Sequence, residues 1–296
     1  MADYGRNLEF GVSVEPLADP PDWAARLARA ADRAGLDLVG IQDHPYQRRF
    51  LDTWTLIATL VPVTESVHFF PDVANLPLRP PAMLAKAAAS LDVISGGRIE
   101  MGLGAGAFWD AVVAMDGPRR SPGEAVRSVA EAIKVMRLVW SDERSLRFEG
   151  EFYSLNGMRP GPHPVHDIGI WVGAYGPRML NLIGRLADGW VPSYGYSQPE
   201  RLPEMQRRID EGAREAGRET KEIRRAYNVS GSIGAAGDGP LDGPPSRWVE
   251  TLTGFVLENG MDTFIYWPPE DHERQTEVFA NEVVPAVREA VREGRS

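Results

Sequence analysis

Cysteine is missing from this chain of 296 residues. Its absence excludes disulfides, a thiolate nucleophile and cysteine-ligated zinc. Lysine is scarce: Lys86, Lys134 and Lys221 are the whole set, each in a polar or helical context. A Schiff-base aldolase of barrel type needs a lysine inside a strand, in a site that lowers its pKa, so that class is set aside. Basic clusters are lacking and the net charge is −10, so nucleic acid is not an expected partner; the acidic excess reads as solubility. No apolar run approaches the ~20 residues that span a bilayer. The opening "MADYGRNLEF" has neither a basic n-region nor an apolar h-region. A cytoplasmic protein without membrane contact is the expectation. Histidine is limited to His44, His68, His163, His166 and His272. His163 and His166 are three apart but lie in a proline-rich loop rather than on a helix, and strand one has no His-x-His. A metal-dependent barrel hydrolase is therefore not expected, and no metal site is assigned.

What is present is alternation. Apolar residues make up 43% of the chain, an ordinary share that supports a sizeable core. Strands are predicted over 8–14, 36–42 and 67–76, within "GGRIEMGLGAG" (96–106), and over 167–174, 188–193, 223–231 and 262–267. Helices are predicted over 21–35, 51–61, 80–97, 121–140, 177–187, 199–216, 246–259 and 272–292. Helix 80–97 should bury Leu84, Ala87, Ala88, Leu91 and Ile94. Helix 121–140 opens on a capping box, Ser121 with Glu124, with Pro122 at its first position and Ala125, Val129, Ile133 and Met136 on one face. A small hairpin over 146–155 interrupts the rhythm after helix four. Eight strand–helix units in one chain of this size predict a (β/α)8 barrel, with a doubly wound open sheet as the alternative. No linker splits the chain, so residues 1–296 read as one domain. The Gly/Pro-rich stretch 232–246 reads as a flexible loop after strand seven, a candidate lid.

Chemistry-bearing residues gather at predicted strand ends. Gly102, Gly104 and Gly106 close strand four. Their G-x-G-x-G spacing, in strand four rather than strand one, does not match a dinucleotide fingerprint. Small residues would also let the strand bend at the barrel rim. Asp43 and His44 close strand two, on the face where barrels carry their active sites, and histidine suits acid–base work near neutral pH. Gly176 precedes a helix whose free N–H groups can hold an anion. Glu15 and Glu100 could both point inward, but nothing else supports the paired-carboxylate chemistry of a glycosidase.

The stretch "FFPDVANLPLRPPAMLAKAAASLDVISGGRIEMGLGAG" (69–106) resembles the bacterial-luciferase-like superfamily of flavin- and deazaflavin-dependent oxidoreductases. The likeness continues through "FWDAVVAMDGPRRSPGEAV" (108–126) and "WVGAYGPRMLNLIGRLADGWVPS" (171–193). It implies a luciferase-like (β/α)8 TIM barrel, in agreement with the count of units. It also implies a tricyclic ring across the barrel mouth, backed by a bulge of strand three at Asp72, Val73, Ala74 and Asn75, with a non-prolyl cis bond at Asp72–Val73. Gly104, Ala105 and Gly106 would let the backbone approach that ring. Gly173, Ala174, Tyr175 and Gly176 would cradle the cofactor phosphate, helped by Ser193. The Asp43-His44 pair resembles relatives that use coenzyme F420, where FMN-using relatives more often carry Glu-His or His-His; FMN is the alternative cofactor. His44 would exchange a proton alongside hydride transfer, with Asp43 as its orienting or charge-balancing neighbour. The family's sugar-phosphate dehydrogenases carry an acidic residue where this chain has Ala107, which argues against glucose-6-phosphate. Tyr46, Phe108, Trp109, Tyr194 and Trp267 would instead wall an apolar substrate pocket. The implied activity is F420-dependent hydride transfer to or from a small organic substrate. The alternatives are an FMNH2-dependent monooxygenase using O2 with a separate flavin reductase, and a barrel that binds flavin or F420 without turnover. Family members are often homodimers.

Overall fold

The computed structural model describes residues 3–234, 237 and 239–296. The chain begins β1 (Glu9–Val14), α1 (Trp23–Arg33), β2 (Leu38–Ile41), α2 (Thr53–Leu60), β3 (His68–Pro71), β4 (Ala74–Asn75), α3 (Pro81–Ser95) and β5 (Met101–Gly104). It continues with α4 (Trp109–Ala114), α5 (Pro122–Val139), the hairpin β6 (Leu146–Glu149) and β7 (Ser154–Met158), β8 (Ile170–Gly173) and α6 (Pro177–Leu186). The last part holds β9 (Gly189–Trp190), α7 (Leu202–Glu215), β10 (Arg224–Ser230), α8 (Pro245–Leu257), β11 (Thr263–Trp267), α9 (His272–Val278) and α10 (Val284–Arg295).

Nine strand segments pair in parallel, in the order β3-β2-β1-β11-β10-β9-β8-β5-β4. The end members β3 and β4 are two halves of one interrupted strand, so the sheet returns on itself and eight strand positions form the predicted barrel. A further parallel bridge, Phe69 to Ile99, helps to close it. Period-two alternation sorts the side chains. Val12, Val39, Met101, Val172 and Phe264 face outward into the shell of helices, where most of the core lies. Leu38, Phe70, Trp171, Val191, Ala226 and Ile265 face inward and fill the barrel as a separate plug. Burying Phe70 and Trp171 there contributes about 2–3 kcal/mol each.

Several local expectations hold and others shift. The capping box of α5 is formed, with Glu124 accepting from the Ser121 backbone N–H at 2.7 Å, and the four residues predicted for its inner face are buried. The hairpin is present and runs on to Met158. On α3 the buried face is Leu84, Ala85, Ala88, Leu91 and Asp92, whereas Ile94 is exposed. The helix is turned so that the Asp92 carboxylate can hold the backbone of Val165, an acceptor role that hydrophobic counting does not register. The predicted single helix 272–292 is broken into α9 and α10 by a wider turn over Phe279–Val283, in which Val284 N–H reaches back to Phe279 O. Pro285 lacks the N–H that the regular ladder would use, and the extra residue in the turn accommodates it. The short α4 was not predicted. Among the described residues, no helix is long and apolar enough to cross a membrane.

Candidate active site

A cavity of about 1160 Å³ opens at the carboxyl ends of the barrel strands. That is room for a tricyclic ring with a small second molecule beside it. Its floor is the interruption in strand three. The Asp72–Val73 bond is cis, as the resemblance implied, and β3 pairs along its length with β2 while β4 pairs with β5. Val73 projects between the ends of β5 and β8. A Cβ added at Gly104 would lie 2.7 Å from Val73 Cγ2, and one at Gly173 would lie 3.2 Å from it. A Cβ at Gly102 would strike the Pro71 carbonyl oxygen at 1.9 Å. The glycines at 102 and 104 are therefore spent first on seating the bulge, and only through it on whatever lies above.

Asp72 is buried beside this floor. Asn228 Nδ2 donates to its Oδ1 at 3.3 Å, whereas its Oδ2 has no partner. Burial pushes the Asp72 carboxyl up to about 7, against the weaker opposing pull of Asn228. Asn228 in turn accepts from Trp267 Nε1 at 3.1 Å and approaches Ser193 Oγ at 3.4 Å, so one polar chain crosses the barrel top. The buried Oδ1 of Asn75 also lacks a partner. Buried polar atoms are normally paired. Two such orphans on the wall of one cavity are what a polar ligand would complete.

The pair that closes β2 divides its work. Asp43 is buried and faces away from His44. Arg79 grips it with two bonds of 2.7 Å, and the Asn75 N–H donates to it at 2.9 Å. Arg79 also reaches Asp52, the residue that caps α2. Asp43 thus ties β2 to β4, and the expectation that it orients His44 gives way. That contact comes from Tyr46, whose hydroxyl lies 2.7 Å from His44 Nδ1. Burial lowers the His44 pKa, with Asp43 pulling weakly the other way, and burial raises that of Tyr46. The imidazole is neutral at neutral pH and the phenol keeps its proton. Phe108 closes the group, its ring 5.8 Å from His44 and 6.0 Å from Tyr46.

The other expected residues distribute as follows. Val73, Ala74, Ala105, Gly106, Gly173, Tyr175, Ser193 and Tyr194 line the cavity with those already placed. Ala174 does not; it is buried, and its carbonyl accepts from Trp190 Nε1 at 2.9 Å. Gly176 stands outside the lining as the cap of α6. Trp109 packs beneath Gly106, where an added Cβ would meet its ring at 2.9 Å, instead of facing the cavity. Glu15 is at the rim, but Glu100 is at the opposite end of the barrel, bonded to Gly169 N–H at 2.7 Å. From the candidate lid, Ala235, Ala236 and Asp238 lie outside the described residues. The described ones do not line the cavity, and Gly234 and Gly243 bond each other beside Trp248. Asn228 was missed. Its signal was available, because alternation in "RRAYNVS" turns Ala226, Asn228 and Ser230 to the same side and leaves a polar residue at an inward position. Among the described residues, neither lysine nor arginine lines the cavity.

Comparison with known proteins matches residues 5–236 to a family described as luciferase-like monooxygenase. A 5,10-methylenetetrahydromethanopterin reductase of Methanolobus tindarius is 31% identical over 219 residues, covering 73% of this chain and 63% of the reductase. An F420-dependent glucose-6-phosphate dehydrogenase of Kineococcus radiotolerans is 28% identical over 235 residues, covering 76% of this chain and 68% of the dehydrogenase. The chain therefore spans a little less than two thirds of the first relative and a little more of the second. Among solved structures, the coenzyme F420 dependent tetrahydromethanopterin reductase from Methanopyrus kandleri superposes with a TM-score of 0.83 at 21% identity, over 95% of this chain and 99% of that one. An F420-dependent secondary alcohol dehydrogenase in complex with an F420-acetone adduct gives 0.84 at 20% identity, with the same coverage. At these identities the structural likeness establishes the fold.

Proposed function

We propose, from the premise that this chain belongs to the luciferase-like monooxygenase family, that it is an oxidoreductase whose cavity holds coenzyme F420 and whose substrate is a small uncharged organic molecule. One observation carries the reading. The cavity is floored by the interrupted strand three, carries the orphaned Asp72 Oδ2 and Asn75 Oδ1, and has a neutral histidine on its wall. The names of the relatives above favour the deazaflavin. When bound, that cofactor supplies hydride acceptance or donation.

The chain's own residues supply the rest. Val73 and the glycines beneath it give a firm apolar seat for a flat ring. Asp72 and Asn75 offer it hydrogen bonds, Asp72 as a donor when protonated. His44 Nδ1–H, donating to the Tyr46 hydroxyl oxygen, leaves the lone pair of Nε2 free to take a proton. A neutral imidazole held in place is a general base in the oxidising direction, taking the hydroxyl proton of an alcohol as its hydride leaves. In the reverse direction the imidazolium returns that proton. Tyr46, Phe108, Tyr194 and Trp267 give the substrate apolar walls. These walls offer apolar contact, so an uncharged substrate fits best.

The test is a fluorescence titration of the protein with F420, run in parallel with FMN. Saturable F420 binding at micromolar concentration or below, with FMN much weaker, is the expected result. The opposite preference would replace this reading by an FMNH2- and O2-using monooxygenase that needs a reductase partner. Binding of neither would remove the cofactor site and the role of His44 with it.

A further inference from the structure

The floor of the barrel, at the opposite end from the cavity, brings together three residues that the family reading does not use. His68 is the first residue of β3, Glu100 immediately precedes β5, and His166 lies in the loop before β8. They are distant in sequence but meet where these strands begin. His166 Nε2 is 3.2 Å from Glu100 Oε1, and His68 Nδ1 is 3.8 Å from the same oxygen. One ligand atom from each residue can be chosen so that all three lie within 4.8 Å of one another.

We propose that this cluster is a binding site for a divalent transition-metal ion of zinc type, with His68, Glu100 and His166 as ligands and water in the fourth position. Three observations support it. The first is spacing: tetrahedral zinc with bonds of about 2.0–2.1 Å sets its ligand atoms about 3.3 Å apart. The 3.2 Å and 3.8 Å separations need only small side-chain rotations to meet that value. The second is a built outer shell. Asp92 on α3 is wholly buried, and its Oδ1 lies 2.7 Å from His166 Nδ1, yet neither atom has a formed hydrogen bond. A carboxylate behind the far nitrogen of a histidine is the usual means of aiming its other nitrogen at a metal. The Glu100 backing is similar, since its second oxygen is held by Gly169 N–H at 2.7 Å. The third is charge. Asp92 and Glu100 place two carboxylates at the barrel floor, and a dication would cancel both. The donor set of two imidazoles and one carboxylate suits zinc better than magnesium or calcium, which favour oxygen alone. Such an ion would pin the 159–168 loop to the barrel floor. The site is independent of the proposed cofactor and stands or falls without it.

The test uses the full chain, free of any affinity tag and stripped with a chelator. Calorimetric titration with Zn2+ at pH 8 is expected to show one ion per chain, and Co2+ to give the visible absorption of a four-coordinate complex. A hundredfold excess of zinc over its Kd should raise Tm by roughly 5 °C. His68→Gln and Glu100→Gln should abolish stoichiometric binding, and Asp92→Asn should weaken it roughly 10–100-fold. His68 is partly exposed and Gln can keep the Glu100 bond to Gly169, so both variants should fold, His68→Gln with Tm unchanged in the absence of metal and Glu100→Gln with a somewhat lower one for want of its His166 pair. Affinity should fall between pH 8 and pH 6, as protons compete for the imidazoles. Absence of stoichiometric binding, or equal binding by His68→Gln, would overturn the proposal and leave His166 as a proton-bridged structural residue.

Discussion

The two ends of the barrel handle polar groups in opposite ways. At the floor, charges answer each other. Arg224 sits between Glu9 at 2.6 Å and Asp262 at 3.3 Å, with Thr263 Oγ1 at 2.6 Å. Arg98 donates to Thr64 Oγ1 and to the carbonyls of Val61 and Val67. At the mouth, Asp72 and Asn75 are buried with atoms to spare, and no cation comes to meet them among the described residues. Both ends belong to the same strands, so the difference is not one of scaffold. It separates a surface held mainly by its own ion pairs, the His68–Glu100–His166 cluster excepted, from one that is complete only with a ligand.

Three experiments would break or sharpen that contrast, beginning with the largest effect. His44→Ala at the mouth should cost roughly 10²–10⁴-fold in kcat, with Tm and cofactor affinity nearly unchanged. Because burial depresses the His44 pKa, the oxidising rate should hold below the usual histidine value of about 6.5 and be lost only as pH falls through the lowered one. Steady-state kinetics across pH checks both points, and a variant with full rate would remove His44 from the mechanism. Arg224→Ala at the floor should do the reverse. It leaves Glu9 without its partner, while Asp262 keeps Arg6, the Arg225 N–H and Thr263, and should cost about 3 kcal/mol in denaturant unfolding while sparing ligand affinity. Asp72→Asn should give the smallest change, and its size depends on pH. A buried carboxyl raised to about 7 favours the fold fully below its unfolded value near 3.8, and that advantage is lost as pH rises through 7. The amide has no charge to bury, so the variant should gain on the wild type between pH 4 and pH 7 and stand further ahead at pH 8 than at pH 5. Equal effects at both pH values would mean that Asp72 is ionised throughout.

These contrasts were unequally legible in the sequence. The barrel could be counted because period-two strands and capped helices announce themselves locally, as in the Ser121–Glu124 box. The bulge at Asp72–Val73 came from resemblance alone, since no local pattern encodes where a strand must break. Partners were the least legible. Asp43 precedes His44 in the chain, yet it belongs to Arg79, thirty-six residues away, while Tyr46 takes the place beside the imidazole. Asp92 was not counted on the buried face of its helix, yet it is a buried acceptor for a loop more than seventy residues on. His163 and His166 were weighed as a pair because they are near in sequence, whereas His166 meets His68 and Glu100. Spacing reports neighbours along one element; sheet order decides neighbours across elements.

The pairing of β1 with β11 has a consequence for biosynthesis. Glu9, Phe10, Gly11 and Val12 lie beside Thr263, Phe264, Ile265 and Tyr266. β1 is synthesised well before β11, and until β11 arrives the ring is an open sheet with two bare edges. Such an edge is a template for pairing with another chain. A nascent chain stopped before Thr263 therefore carries bare backbone on β1 and β10, where β11 pairs in the finished barrel, and in that window it is most open to pairing with another chain.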